Sequence, residues 1–574
     1  MRDPDGIGDW PRRLLHVPSM TSLPWRPGNM YGQFDSPRYN VVSYTWGRFR
    51  LDLAREHSNS KQGLPIQGVE WPIPPIDPEH FTEGELDVVL QRMAEAYSVD
   101  FVWIDVACID QRRGSKEGYL EVGRQAAIFR GARQIFIWWT KFTGDRTRAL
   151  WDRILEGTTY VEESIIRPPS SLSQEELELS FFNFKELDDN ITIFLSDPWF
   201  SSLWTLQEAF LGSTAQVLCR DGNPLSRGIV HNGFRFITSV FDAVSNDCAR
   251  ALSAHDSILQ TFPRLATLCT NIHQAVQQRA LPELIHVNKL GLYAAAGRRT
   301  ASEPLDYIYG IQQIFGYRVG ATRVDTDPNQ DWTLGDLEEE LAREIIADCP
   351  VRSQMHVFQQ PMSYGKRWHI SRSSHVPVPL AGMGHMYTEL WECPISSQYT
   401  LEVHKFGDIA LLRFWGHMCE YTRLHASWMK PVDAHGNEYC YFRVMLDAVS
   451  IDDAAKSGEP LEYRTVGHMR DIWRGLEQNK LSAWLANKYN SSQLMVLRLG
   501  SREERGQLGT LEPCEIVGLI LLRGQSLEGL TYWHRIGFCH WVHGDEFADW
   551  QDTKNFLAAR DDSPGWVQET GVFG

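Results

Sequence analysis

A chain of 574 residues is longer than one hydrophobic core ordinarily serves, which predicts roughly two to four domains. Its 43% hydrophobic and 22% charged composition excludes a disordered polymer. The formal net charge of −17, with only short clusters of Lys and Arg, counts against binding nucleic acid through its phosphates.

No stretch approaches the ~20 apolar residues that span a bilayer, and the first residues lack the apolar run of a signal peptide. The longest apolar run, residues 516–522, reads as a buried strand. The ten cysteines form no CxxC pair, so neither a disulfide framework nor a zinc module is expected. These features predict a soluble protein of a reducing cytoplasm that needs no metal or cofactor.

Residues 39–44 (YNVVSY) form a short apolar strand that turns at Thr45-Trp46-Gly47. A polar, proline-rich stretch follows, too rich in Pro for a helix. Thr82 and Glu85 then stand at the spacing of a capping box. Leu86, Val89, Leu90, Met93, Ala94 and Tyr97 follow at helical intervals, which predicts a helix. FVWIDV (101–106) reads as a buried parallel strand, residues 121–130 as a helix, and QIFIWW (134–139) as another strand. Strand–helix alternation of this kind predicts an α/β sheet.

Residues 141–190 read as an acidic insertion with some helix, and 191–196 as a strand or a helix end. Pro198-Trp199 marks a break, after which Ser201 or Ser202 caps a helix carrying Leu203, Leu206, Phe210 and Leu211. Helical patterns occupy residues 233–278 and 334–346, the second capped by Thr333. Beyond about residue 353, strand-length apolar pieces predict a β-rich or α+β region with one helix near 465–489.

Three boxes stand in order: VVSYTWG (41–47), WIDVACIDQ (103–111) and PWFSSLWTLQE (198–208). In these the chain resembles the fungal heterokaryon-incompatibility (HET) domain. The flanks PRRLLHVPSMTS and RTASEPLDYIYGIQQIFG are similar to those common in such proteins. The family commonly has arginines where this chain has Asp197 and Ser202, which would weaken any anion site built on them. The resemblance implies a flavodoxin- or TIR-like parallel sheet and a role in self/non-self recognition and programmed cell death. It places a HET domain at 38–225 after an N-terminal extension at 1–37, and the residue patterns add a helical region at 226–350 and a β-rich C-terminal region at 351–574. Partners implied are other HET or incompatibility proteins, or a second copy of the chain.

Ligands of an open parallel sheet bind beyond the carboxyl ends of its strands. Ser43, Tyr44, Trp46 and Gly47 close the first strand, and Asp105, Asp110 and Gln111 follow the second. Trp204 and Glu208 stand one helical turn apart in the third box. Some TIR domains cleave NAD with a glutamate four residues after a tryptophan, so the resemblance makes Glu208 the candidate catalytic residue and NAD the candidate substrate. A carboxylate suits this chemistry because breaking an N-glycosidic bond develops positive charge on the ribose. Two readings stay open: an NAD-cleaving enzyme, or a non-catalytic interaction module in which Glu208 locks the third box to the sheet.

Overall fold

The computed structural model describes residues 6–45, 63–73, 75–166, 173–225, 233–254, 263–285, 288–327, 330–360, 362, 365–372, 374–376, 391–392, 400–407, 409–428, 440–447, 475–505, 511–543 and 565–574. They fall into two compact units, Met1–Leu341 and Ala342–Gly574. The first is mixed α/β around a sheet with a parallel core, and the second is β-rich.

The first unit is organised by the apolar strands of the first two boxes. Strand β5 (Tyr39–Ser43) is buried at every residue, as its run of apolar side chains demands. Fully burying a Val such as Val41 contributes about 1.5–3 kcal/mol. It pairs in parallel with β6 (Phe101–Trp103) on one side and β7 (Ile135–Trp138) on the other, and β7 pairs in parallel with β8 (Gln216–Leu218). The parallel order is therefore β6-β5-β7-β8, and the chain reverses its winding at β5. The stretch predicted as an N-terminal extension supplies β1 (Arg13–His16), β2 (Thr21–Arg26), β3 (Met30–Tyr31) and β4 (Phe34–Asp35), which extend the same sheet antiparallel from β6. Residues 1–37, 38–225 and 226–341 thus lie in one unit.

The helices follow their local signals. In α1 (Glu83–Tyr97) the capping box of Thr82 and Glu85 forms in both directions, and Leu86, Val89, Leu90 and Met93 are buried. The strand predicted through Val106 instead stops at Trp103, and helix α2 (Asp105–Cys108) begins. The physical reason lies in Asp105, whose Oδ1 accepts the Val106 amide at 2.7 Å, a local bond that competes with strand extension.

The single helix expected over 121–130 is two, α3 (Lys116–Val122) and α4 (Gln125–Gly131). They part at Gly123, where a Cβ would lie 2.9 Å from the Thr322 carbonyl oxygen. The acidic insertion is a pair of long helices, α5 (Gly144–Ile166) and α6 (Gln174–Phe194), the latter capped by Ser173 with Glu176. Residues 191–196 complete and cap α6 rather than form a strand. Helices α7 (Leu203–Leu211) and α8 (Phe234–Ala254) follow, and residues 263–322 add shorter helices.

In the second unit the pairings close a ring of strands, β13–β15–β16–β17–β18–β13. These are β13 (Ile409–Glu420), β15 (Leu494–Arg505), β16 (Leu511–Leu527), β17 (Leu530–His543) and β18 (Val567–Phe573). The predicted strand 516–522 lies within β16, and the C-terminal helix is Gly475–Lys488, residues 465–474 falling outside those described. Closure removes free edges from those strands. No described helix is long and apolar enough to cross a membrane, and the described residues hold no metal-like cluster of His, Cys, Asp and Glu.

Arg535 of β17 is fully buried with its Nε 3.3 Å from the Asp447 carboxylate, which also accepts the Phe358 amide at 3.0 Å. Burial lowers the Arg535 pKa and raises that of Asp447, so desolvation weighs against the pair even as the charges attract. Removing one partner strands the other charge. Asp447→Ala is therefore expected to cost about 3–5 kcal/mol, whereas Asp447→Leu with Arg535→Met should recover most of that loss. Denaturant unfolding of the three proteins checks this; equal losses in the single and double variants would contradict it.

Candidate functional site

Ser43 ends β5 at the point where the sheet reverses its winding, the place where open α/β sheets bind ligands. Its hydroxyl oxygen lies 2.9 Å from the Trp199 indole nitrogen and 2.6 Å from Glu208 Oε2. An indole N–H can only donate, so Ser43 accepts from Trp199 and has its own hydrogen to give to Glu208. The last strand residue of the first box is thereby joined to both ends of the third.

Glu208 reaches that position from α7. The break at Pro198 opens a short 3-10 turn, Pro198–Ser201, that buries Trp199 and Phe200. Asp197 caps this turn, its Oδ1 accepting the Trp199 amide at 2.9 Å and its Oδ2 the Lys141 amide at 3.0 Å. Burial pushes the Asp197 carboxyl up to about 6 despite these bonds. Asp197 is thus spent on the backbone, where the family commonly has arginine. Ser202 is the N-cap of α7, although its side chain makes no capping bond.

The electrostatics of the site are acidic. Glu208 is 8% exposed, and burial pushes its pKa up to about 8, opposed by the Ser43 hydrogen bond and reinforced by the charge of Asp105. Burial, followed by the charge of Asp105 and then that of Glu208, raises the Tyr44 phenol well above its ordinary range. The ring of Tyr44 stacks on Trp138 at 5.8 Å and meets Phe81 edge-on at 6.2 Å. Ser43, Tyr44, Asp105 and Glu208 therefore converge, with two carboxylates beside an aromatic wall. Among the described groups that set the Glu208 pKa there is no cation. Such a site favours a ligand carrying positive charge, and a carboxyl titrating near neutrality can change protonation as the ligand binds.

The remaining candidates lie elsewhere or are otherwise engaged. Asp110 accepts from Arg112 through both oxygens and from Ser115 at 2.7 Å, which locks its own loop. Gln111 donates to the backbone carbonyls of Asp105 and Ile109, each at 3.1 Å. The indole of Trp204 packs on Gly310 and faces the Asp306 carboxyl, whose pKa burial raises and Trp204 lowers. Trp46 and Gly47 lie outside the described residues.

Trp199, read from sequence as core, is also the donor that orients Ser43. Glu121 is fully buried, where it accepts the Arg12 amide at 3.1 Å and the Trp103 indole at 3.1 Å. Its ties bind the first strands to the second box. Cys108 is buried, and burial pushes its thiol up to about 12, which disarms it as a nucleophile.

Residues 39–208 match the family described as Heterokaryon incompatibility protein (HET), a match whose last residue is Glu208. A HET domain implies a heterokaryon-incompatibility-type function. No curated protein and no solved structure matches the chain.

Proposed function

We propose that the HET domain acts in fungal self/non-self recognition and cell death by hydrolysing the N-glycosidic bond of NAD at Glu208. One observation carries the reading: a buried glutamate held by Ser43 at the winding reversal of a parallel sheet, with a second carboxylate beside it. Numbered from β5, the parallel order is 2-1-3-4, which supports a flavodoxin-like and hence TIR-like domain.

The chemistry asks little of the protein. Water and NAD give nicotinamide, ADP-ribose and a proton. The departing ring already carries positive charge, so it leaves without being protonated. What the site must supply is negative potential at the ribose carbon as it becomes cationic. The carboxylate of Glu208 supplies it, Asp105 adds to it or holds a ribose hydroxyl, and Tyr44 bounds the site.

A second reading, a module that assembles with itself or other incompatibility proteins, is supported by Leu179 and Phe182, which are 55% and 62% exposed on α6. Purified full-length protein incubated with NAD separates the two. Accumulating nicotinamide and ADP-ribose supports hydrolysis, whereas no turnover even in concentrated or oligomerised protein transfers the weight to assembly.

A further inference from the structure

The matched family region ends at Glu208, yet the helix bearing that residue is held largely by residues about 90 to 110 positions further on. Thr300 pairs with the turn before α7: its amide donates to the Ser201 carbonyl at 2.9 Å and its carbonyl accepts the Leu203 amide at 3.0 Å. Arg299, 2% exposed, enters beneath this pairing. Its Nη1 donates to the Ser202 carbonyl at 3.1 Å and lies 3.3 Å from the Thr205 hydroxyl, and its Nη2 donates to the Arg279 carbonyl at 2.5 Å.

The Thr205 hydroxyl in turn reaches the Trp199 carbonyl at 2.5 Å. The Trp199 indole donates to Ser43, and Ser43 to Glu208. Polar contacts joined through the Trp199 residue itself thus link Arg299 to the candidate catalytic carboxyl.

A second hold lies on the other side of α7. Gln207 donates to Gln125 Oε1 of α4 at 2.5 Å and accepts the Gln313 amide at 2.8 Å, while the Gln313 side chain accepts the Ala126 amide at 3.1 Å. These three glutamines are buried and bonded to one another or to backbone, so each fixes a distance rather than merely filling space.

Arg299 is an expensive choice for a purely structural contact. Removing a guanidinium from water costs several kcal/mol, and burial followed by the like charge of Arg279 lowers its pKa to about 9, with Glu283 opposing. Carbonyl and hydroxyl oxygens are what its Nη atoms contact, and two of them, on Ser202 and Thr205, lie at the start of α7.

We propose that Arg299 and Gln207 are positioning residues that hold Glu208 against Ser43, so that residues 299–313 complete the site which the HET region begins. The inference deepens the reading of Glu208 as the working group, but its test does not need turnover. The readout is the titration of Glu208 in the full-length chain. It is taken as the difference in melting temperature between proteins with Glu208 intact and with Glu208→Gln, followed from about pH 5 to about pH 9. Asp105 from α2 and Tyr44 just after β5 face the same carboxyl and are common to both members of each pair.

With Arg299→Gln in both members, the pH-dependent difference is expected to shrink as water reaches Glu208 and its pKa falls by a unit or more. Arg299→Lys should restore part of it. A lower melting temperature with an unchanged pH-dependent difference would overturn the proposal, because a merely structural arginine does only that. Should Arg299→Gln fail to fold, Gln207→Met makes the same test from the glutamine side. A moved titration in a protein that never consumes NAD would keep the positioning role and remove the enzymatic reading.

Discussion

Glu208→Gln protein is expected to consume NAD about 100- to 1000-fold more slowly than the parent at its optimum pH, the loss typical of removing one group aimed at developing charge. Glutamine is nearly isosteric, and its carbonyl oxygen can still accept the Ser43 hydroxyl now bonded to Glu208 Oε2 at 2.6 Å. It cannot carry negative charge. The substitution therefore separates a role for the carboxylate from a role for its hydrogen bond. A folded variant with undiminished turnover would show that Glu208 only locks the third box to the sheet. Chromatographic measurement of nicotinamide released per enzyme, with circular dichroism to verify the fold, decides between them.

The same substitution is expected to stabilise the protein in alkaline solution. Folding raises the Glu208 pKa from about 4.3 in the open chain to about 8, with burial as the chief cause. The folded state therefore binds more protons than the unfolded state between these values. Stability from this group is fully present below about pH 4.3 and falls as pH rises toward about 8. The slope is about 1.4 kcal/mol per pH unit, on the order of 5 kcal/mol across the window. Glutamine removes the titration. Parent and variant should melt alike near pH 4 and diverge steadily above it, the variant being the more stable by several kcal/mol near pH 8. Asp197, raised to about 6, adds a slope of the same sign to both proteins and cancels in their difference. Parallel melting curves across this range would mean that Glu208 is solvated. A functional group that lowers stability is what a site held ready for a cationic ligand entails.

Local signals carried much of this fold. The capping box of Thr82, the buried run at Val41 and Val42 and the break at Pro198 each act within one turn or strand, and each forms as its residues suggest. Asp105 misled because its side chain bonds the next amide, which turns the expected end of a strand into the start of a helix. Gly123 divides a helix for a reason that lies near Thr322, about 200 residues away.

The candidate site was legible to a similar depth. Ser43, Tyr44, Asp105 and Glu208 stand in the three boxes and converge. Asp110, Gln111 and Trp204 stand in the same boxes, yet local bonds or downstream contacts claim them. Arg299 heads the flank RTASEPLDYIYGIQQIFG, yet nothing in that pattern ties it to α7, because its partners are mainly backbone carbonyls, which every residue type supplies. The flank RTASEPLDYIYGIQQIFG was visible as a pattern, but only long-range packing shows that Gln313 bonds Gln207. The closed ring in the second unit likewise depends on pairings such as β13 with β15, which strand patterns alone do not specify.

The central claim, that the ionised carboxylate of Glu208 performs the chemistry, is tested most directly by the pH dependence of kcat/KM for NAD in full-length protein. This parameter reports groups in the free enzyme. With Glu208 at about 8, kcat/KM should rise tenfold per pH unit through the acid limb and level off above about 8. Asp105→Asn, by removing the neighbouring negative charge, should move that limb to lower pH. A flat profile from about pH 6 to about pH 9, or a limb near the ordinary carboxylate value, would contradict the account.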